Sequence, residues 1–174
     1  MIRSARKDDA IHLAAIYAPY VRETVISFEA RPPDEGEMAS RIQASHAALV
    51  YEEAERRQGF AYAVPLNRRA AYRWSAEVSV YVAATAAGRG IGRQLLGALL
   101  DELRTKGLVN AFGGIALPNP RSVRLFEFFG FDQIALQKKV GYKLKAWHDV
   151  GWWQLQLREP PVPPPSLDQP SVRA

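Results

Sequence analysis

Residues 77–107 fit few folds: an alternating segment, a glycine-rich turn and a long amphipathic stretch follow one another with almost no linker. Glu77-Val78-Ser79-Val80-Tyr81-Val82 puts three valines on one side and Glu77, Ser79 and Tyr81 on the other, because successive side chains of a strand point to opposite faces. Gly88-Arg89-Gly90-Ile91-Gly92-Arg93 forms the turn. Leu95, Leu96, Ala98, Leu99, Leu100 and Leu103 then recur at helical spacing, and Lys106-Gly107 supplies a basic last turn and a stop. A strand feeding a helix this directly predicts an α/β class with a partly parallel sheet.

The rest of the chain fills in around that unit. Asp8-Asp9 is placed to cap a helix carrying Ile11, Leu13, Ala14, Ile16, Tyr17 and Tyr20, which Pro19 would end or kink near Ala18. Val25-Ile26-Ser27-Phe28 is rich in β-formers, and Arg31-Pro32-Pro33 breaks the chain before a polar helix of about 10 residues starting at Asp34. Segments 48–51 and 59–64 read as a strand pair. Their charged connection lacks the Asn-Gly or Asp-Gly of a tight hairpin, which predicts a long, mobile loop. A strand near 111–117, a helix near 120–129 stopped by Gly130, and strands near 131–142 and 150–157 complete one domain over residues 1–158. The proline-rich tail 159–174 has little to bury and is expected to be disordered or polyproline-like.

Composition narrows the function. At 174 residues with 48% hydrophobic side chains the chain can build one core. No apolar run approaches the roughly 20 residues that span a bilayer, and the N-terminus lacks a secretory apolar stretch. No membrane partner and a cytoplasmic location are expected. The absence of cysteine rules out disulfides and thiolate chemistry. His12, His46 and His148 lack metal-ligand spacing, so no metal is expected. A net charge of +5 raises nucleic acid as a partner. The lysines and arginines are dispersed, however, which disfavours that partner and suits a ligand bearing several phosphates.

The glycine turn is the place for such phosphates. Successive amides there can converge on an anion, the helix N-terminus adds about half a positive charge, and Arg89 and Arg93 add countercharge. No Gly-Lys-Ser/Thr ending follows, and no acidic residue stands at a convincing ribose-binding position. The turn therefore predicts a pyrophosphate site without nucleotide hydrolysis.

Tyr81-Val82, Gly88-Arg89-Gly90-Ile91-Gly92 and the Leu95-Leu96 helix resemble the signature of the GCN5-related N-acetyltransferase (GNAT) superfamily. Asn119-Pro120-Arg121-Ser122, Leu125-Phe126-Glu127 and Phe129-Gly130-Phe131 resemble its second hallmark. Within the superfamily the chain is similar to the phosphinothricin and methionine-sulfoximine N-acetyltransferase group, through Ala71-Tyr72-Arg73-Trp74-Ser75-Ala76-Glu77, Ile115-Ala116-Leu117-Pro118-Asn119, Val140-Gly141-Tyr142-Lys143 and above all Trp147-His148-Asp149-Val150-Gly151-Trp152-Trp153-Gln154-Leu155. The resemblance implies a mixed central sheet, flanked by helices and split between two strands to admit acetyl-CoA. It implies that the backbone of Val80, Tyr81 and Val82 bonds the pantetheine arm, that the amides of Gly88, Arg89, Gly90, Ile91, Gly92 and Arg93 hold the pyrophosphate, and that Asn119 and Ser122 face the far side of the coenzyme. It also implies a homodimer whose C-terminal segment helps close the pocket. The family usually has Arg or Gln where this chain has Ala87, so weaker coenzyme binding is expected.

Amine acetylation needs a neutral amine, a held thioester and a donor for the developing oxyanion. Glu77 is the candidate base, since a half-buried carboxylate has the raised pKa a base wants. Many relatives carry Tyr or His at the position of Phe126, which cannot transfer a proton; water or a tyrosine such as Tyr81 would take that role. By resemblance Phe28, Glu29, Arg69 and Tyr72 surround a small amine acceptor, with Arg69 gripping a carboxylate in a two-pronged bond. His148-Asp149 invites a dyad, but neighbours on a strand face opposite ways, so a structural role is expected. Two alternatives stay open: another amine such as a polyamine or a protein N-terminus, and a domain that binds acetyl-CoA without transfer.

Overall fold

The computed structural model describes residues 1–164, 166 and 167. Seven strands form one sheet in the order β1 (Ile2–Ser4), β2 (Ala47–Glu53), β3 (Arg56–Pro65), β4 (Ser75–Val82), β5 (Asn110–Leu117), β7 (Ala146–Gln156), β6 (Asp132–Lys143). Helices α1 (Ala10–Glu23), α2 (Glu35–Ala44), α3 (Ile91–Thr105) and α4 (Pro120–Phe128) flank it.

Every strand pair is antiparallel except β4 and β5, which run parallel and pair only from Ser75 with Asn110 to Glu77 with Phe112. Beyond Glu77 the two strands part. Each β4 residue past that point keeps its bonds to β3 but loses its neighbour on the other edge, which opens a cleft in the middle of the sheet.

Two cores hold the cleft walls. On one face Ile91, Leu95, Leu96, Leu99, Leu100 and Leu103 of α3, all buried, pack on Ala61, Ala63, Ala76 and Val78. Each such leucine contributes roughly 1.5–3 kcal/mol on leaving water. On the other face Leu13, Tyr17 and Val21 of α1 and Met38 of α2 pack on Val50 and Phe60.

Several expectations are corrected. β1, too short to show a pattern in sequence, adds to β2 as a three-residue edge. The 53–56 connection is not a long loop but a two-residue turn through Ala54 (φ 47°) and Glu55 (φ 61°). Both adopt the left-handed conformation that type I′ geometry requires without the usual glycine. Residues 25–28 form no strand. α1 continues through Pro19 to Glu23. Asp9 precedes that helix but does not cap it with its side chain; its carboxylate pairs with Arg3 at 2.7 Å and Arg57 at 2.9 Å. Arg3 first, then Arg6 N–H and Arg57, hold its pKa well below the usual range against the opposing effect of burial. The helix at Asp34 stands as expected, with Asp34 accepting from Glu37 N–H at 2.8 Å. In the tail, Leu167 lies half-buried against the α3 core; residues 165 and 168–174, on which the rest of the expected disordered or polyproline-like tail falls, lie outside the described residues.

Candidate active site

The apex of the cleft, where β4 and β5 part at Glu77, and the glycine turn lie at opposite ends of β4. Gly88 (φ 83°) and Gly90 (φ 77°) are left-handed, and a side chain added at either would meet nothing within 4 Å. Glycine is demanded there by backbone conformation, and the space in front of the amides is open. Gly90 is the N-cap of α3, whose first intrahelical bond runs from Gln94 N–H to Gly90 O at 3.1 Å. The amides of Ile91, Gly92 and Arg93 precede it and have no intrahelical acceptor. Gly92 packs closely on the tops of β4 and α4: a methyl group there would lie 3.7 Å from the Val82 side chain and 3.8 Å from Val80 and Leu125. These residues suit a pyrophosphate bound by main chain.

The two arginines of the turn are otherwise engaged. Arg89 pairs with Glu53 at 2.7 Å on the surface, and Arg93 lies 3.7 Å over the Phe128 ring. An exposed pair of that kind is weak, so Arg89 can be drawn to a phosphate at little cost. Asn119 spends its side-chain oxygen on Ser122 N–H at 3.1 Å, capping α4. That bond uses the Asn119 side-chain oxygen and only the main-chain N–H of Ser122.

At the other end, Glu77 is the last β4 residue paired with β5. Its side chain is half-buried and has neither ion pair nor hydrogen bond among the described residues. A strand-end carboxylate serving only structure would be matched by an arginine, and Glu77 has no such partner among the described residues. Desolvation alone raises its pKa above the ordinary glutamate value, which makes it a better base.

Glu29 behaves differently. Arg41 grips it through two bonds of 2.7 and 2.9 Å, and the Tyr17 hydroxyl donates to it at 3.0 Å. Burial pushes its pKa up, but these bonds outweigh that and hold it below normal. It is a strut, not a base. Tyr62, paired with Ser79 on β4, feels both carboxylates. Burial pushes its hydroxyl up, Arg41 and Ser79 pull it down, and Glu29 and Glu77 push it up again. Phe28 rests its ring on Gly141 of β6, where a side chain would collide with it. Lys143 fastens the same segment by donating to Val21 O and Ser27 O, both at 2.5 Å. Arg69 and Tyr72 sit on an exposed loop closed by Leu66 N–H to Ser75 O at 3.1 Å, beside the start of β4.

A family description, acetyltransferase (GNAT) domain, matches residues 2–152. The chain belongs to the GNAT acetyltransferase family. It is 36% identical to a phosphinothricin N-acetyltransferase of Streptomyces coelicolor, over 90% of this chain and 95% of that one. It is 33% identical to an L-methionine sulfoximine/L-methionine sulfone acetyltransferase of Salmonella typhimurium, over 93% and 97%. A GNAT phosphinothricin acetyltransferase of Sinorhizobium meliloti, solved in complex with acetyl-CoA, superposes with a TM-score of 0.86 at 31% identity, covering 90% of this chain and 87% of that one.

Within this acetyltransferase four aromatic positions are distinguished by their packing. Phe126 is buried, edge-to-face with Phe131 at 4.8 Å, and lies so close to β5 that any side chain at Gly113 would strike it. Tyr81 does not replace it as an acid. Its ring packs against Tyr17, Tyr20 and Phe60 on the α1 face. Burial first, then Tyr62 and Tyr17, push its hydroxyl well above its ordinary value, so it releases a proton reluctantly. Trp153 is core, whereas Trp147 is 61% exposed. His148 bonds Lys143 O at 2.9 Å and Asp149 accepts from Lys139 N–H at 2.7 Å. Both serve the β6–β7 hairpin, as the strand argument expected.

Tyr17, Tyr20, Arg41 and Tyr62 were missed from sequence. Tyr62 alone carried a signal, since it alternates with Phe60 and faces the same side as Glu77 once β3 and β4 are paired. Among the described residues no group of three His, Cys, Asp or Glu side chains could hold a metal, and no helix is long and apolar enough to cross a membrane.

Proposed function

We propose that this chain transfers the acetyl group of acetyl-CoA to the amino group of a small amino acid of the phosphinothricin or methionine sulfoximine/sulfone kind. One observation carries the reading: an unpaired, half-buried carboxylate, Glu77, stands where β4 and β5 part, at the foot of a strand whose other end leads into the open glycine cradle. The names of the relatives supply the acceptor class.

Acetyl-CoA, when bound, supplies an activated acetyl group as a thioester. The main-chain amides from Gly88 to Arg93 would hold its pyrophosphate, and the backbone of Val80 and Val82 its pantetheine arm. Glu77 accepts a proton from the acceptor ammonium, directly or through one water. The freed amine forms the C–N bond to the acetyl carbon as the C–S bond breaks. By strand alternation the Val80 N–H faces the cleft, because Ala83 N–H bonds Gln58 O on the β3 side at 2.8 Å; it is the donor available to the developing oxyanion. The nitrogen then gives its remaining excess proton to solvent, and the sulfur leaves with its electron pair and takes a proton from solvent. A thiol pKa of about 8.5 lets it depart near neutral pH without a dedicated acid, which reconciles the reaction with Phe126. Phe28, Arg69 and Tyr72 enclose the acceptor, and Glu29 fixes the segment that carries Phe28.

The domain of residues 1–158 holds this machinery, and we place it in the cytoplasm as a homodimer. The exposed apolar side chains of the β6–β7 hairpin, among them Leu136, Val140, Tyr142 and Trp147, support the dimer.

The test is release of free thiol from acetyl-CoA against a panel of amino acids, polyamines and peptides. Turnover confined to amino acids ending in a phosphinate, sulfoximine or sulfone group supports the reading. Turnover only with polyamines or peptides replaces the acceptor. Tight coenzyme binding with no thiol released reduces the chain to a binding domain.

A further inference from the structure

The cleft edge of β4 is touched by a residue that the mechanism above does not use. Tyr20 of α1 reaches across 62 positions of sequence to donate its hydroxyl to Val82 O at 2.6 Å and to accept from Val82 N–H at 3.3 Å. The ring is braced by Tyr81, edge-on at 5.2 Å, and Thr24 Oγ1 ties down the Tyr20 carbonyl at 2.7 Å. Ala83 N–H is bonded to Gln58 O of β3, so by alternation both groups of Val82 face the opposite edge, the one β5 leaves after Glu77.

We propose that the Tyr20 hydroxyl is a built-in competitor of the coenzyme for the strand edge at Val82. The inference rests on the reading that the pantetheine arm adds to β4 as a strand would. Val82 O has two lone pairs and can serve Tyr20 and a pantetheine amide together. Val82 N–H has one hydrogen and cannot. The competition therefore falls on the longer of the two bonds, at 3.3 Å, the one that gives way most readily. Tyr20 swings or slides off the N–H as the coenzyme binds and returns to it as free CoA departs. The hydroxyl thereby lowers coenzyme affinity and hastens product release.

Calorimetric titration of Tyr20→Phe and wild type with CoA tests the proposal without turnover. The expected result is threefold to tenfold tighter binding by Y20F, the worth of one net hydrogen bond, with slower CoA dissociation in stopped flow. The melting temperature of free Y20F should fall below that of wild type, and the gap should close at saturating CoA, where neither protein retains the full Tyr20 contact. Equal affinity in the two proteins overturns the proposal. Weaker binding by Y20F also overturns it, because Tyr20 would then be a coenzyme ligand. If neither protein binds CoA, the coenzyme reading itself has failed. Should Y20F not fold, carbon-13-labelled tyrosine in the wild type decides: the Tyr20 ring resonances must shift on CoA addition, and unmoved resonances refute the displacement.

Discussion

Glu77 combines two properties that oppose each other in the folded chain. Half-burial without a counter-ion raises its pKa and makes it the stronger base. The same burial makes its charge a liability at neutral pH. A carboxyl whose folded pKa is raised favours folding fully below the unfolded value, and that contribution disappears as pH climbs through the folded one. Glu77→Gln is therefore expected to lower turnover about 10²-fold, to remove the rising acid limb of the pH–rate profile, and to raise the melting temperature at pH 7. A variant with unchanged turnover and an intact limb would remove Glu77 from the chemistry. Gly90→Val makes a separate point. Space is open around Gly90, so the penalty is conformational, about 1–2 kcal/mol for a left-handed residue, read in urea denaturation. Calorimetry should show weaker acetyl-CoA binding as the turn relaxes; full affinity would count against the cradle. Both residues were legible in sequence because strand alternation and glycine spacing are local signals. Tyr20 was not. Its meaning lies in a hydroxyl that meets Val82 across the sheet, and no local pattern encodes that meeting.

Helix α4 and strand β5 meet at one place where element packing sets what chemistry is possible. Gly113 brings the β5 backbone against the Phe126 ring, and a methyl group would overlap it. Gly113→Ala is expected to push α4 outward and cost about 1–3 kcal/mol, as overpacked cores do, measured as a lower urea midpoint at unchanged slope. An unaltered midpoint would mean that α4 yields freely. The strongly periodic elements β4, α3 and α4 were readable beforehand, since each has one buried face and therefore one pattern. Elements governed by partners were not. β1 is three residues with a pattern too short to register, and it exists because β2 offers an edge. Residues 25–28 have strand-forming composition, yet Lys143 captures Ser27 O and Phe28 is drawn onto Gly141, so tertiary contacts override propensity. At Ala54-Glu55 antiparallel pairing on both sides dictates a tight turn that the side chains themselves disfavour.

For the whole molecule the decisive feature is an asymmetry between the two edges of the sheet. β1 is short, as protected edges usually are. β6, at the other edge, runs 12 residues with every position from Asp132 to Val140 exposed. It, the turn that follows and the start of β7 present Ile134, Leu136, Val140, Tyr142, Leu144 and Trp147 to solvent. A long apolar edge of this kind invites pairing with another chain, and a contiguous patch marks a contact surface. The same hairpin holds the acceptor-side segment through Lys143 and Gly141, so a second copy seated there would stiffen the wall of the pocket. The wild type is expected to sediment as a dimer at micromolar concentration. Val140→Glu combined with Trp147→Glu places two charges in the patch and should yield a monomer of unchanged circular dichroism. Because the hairpin would lose its outer support, the monomer should show a higher KM for the amino acid than the dimer, while its affinity for acetyl-CoA should stay the same, since the proposed glycine-turn site includes neither substituted residue. A wild type that sediments as a monomer at all concentrations would refute the dimer. A monomeric variant with an unchanged KM would keep the dimer but separate it from the pocket.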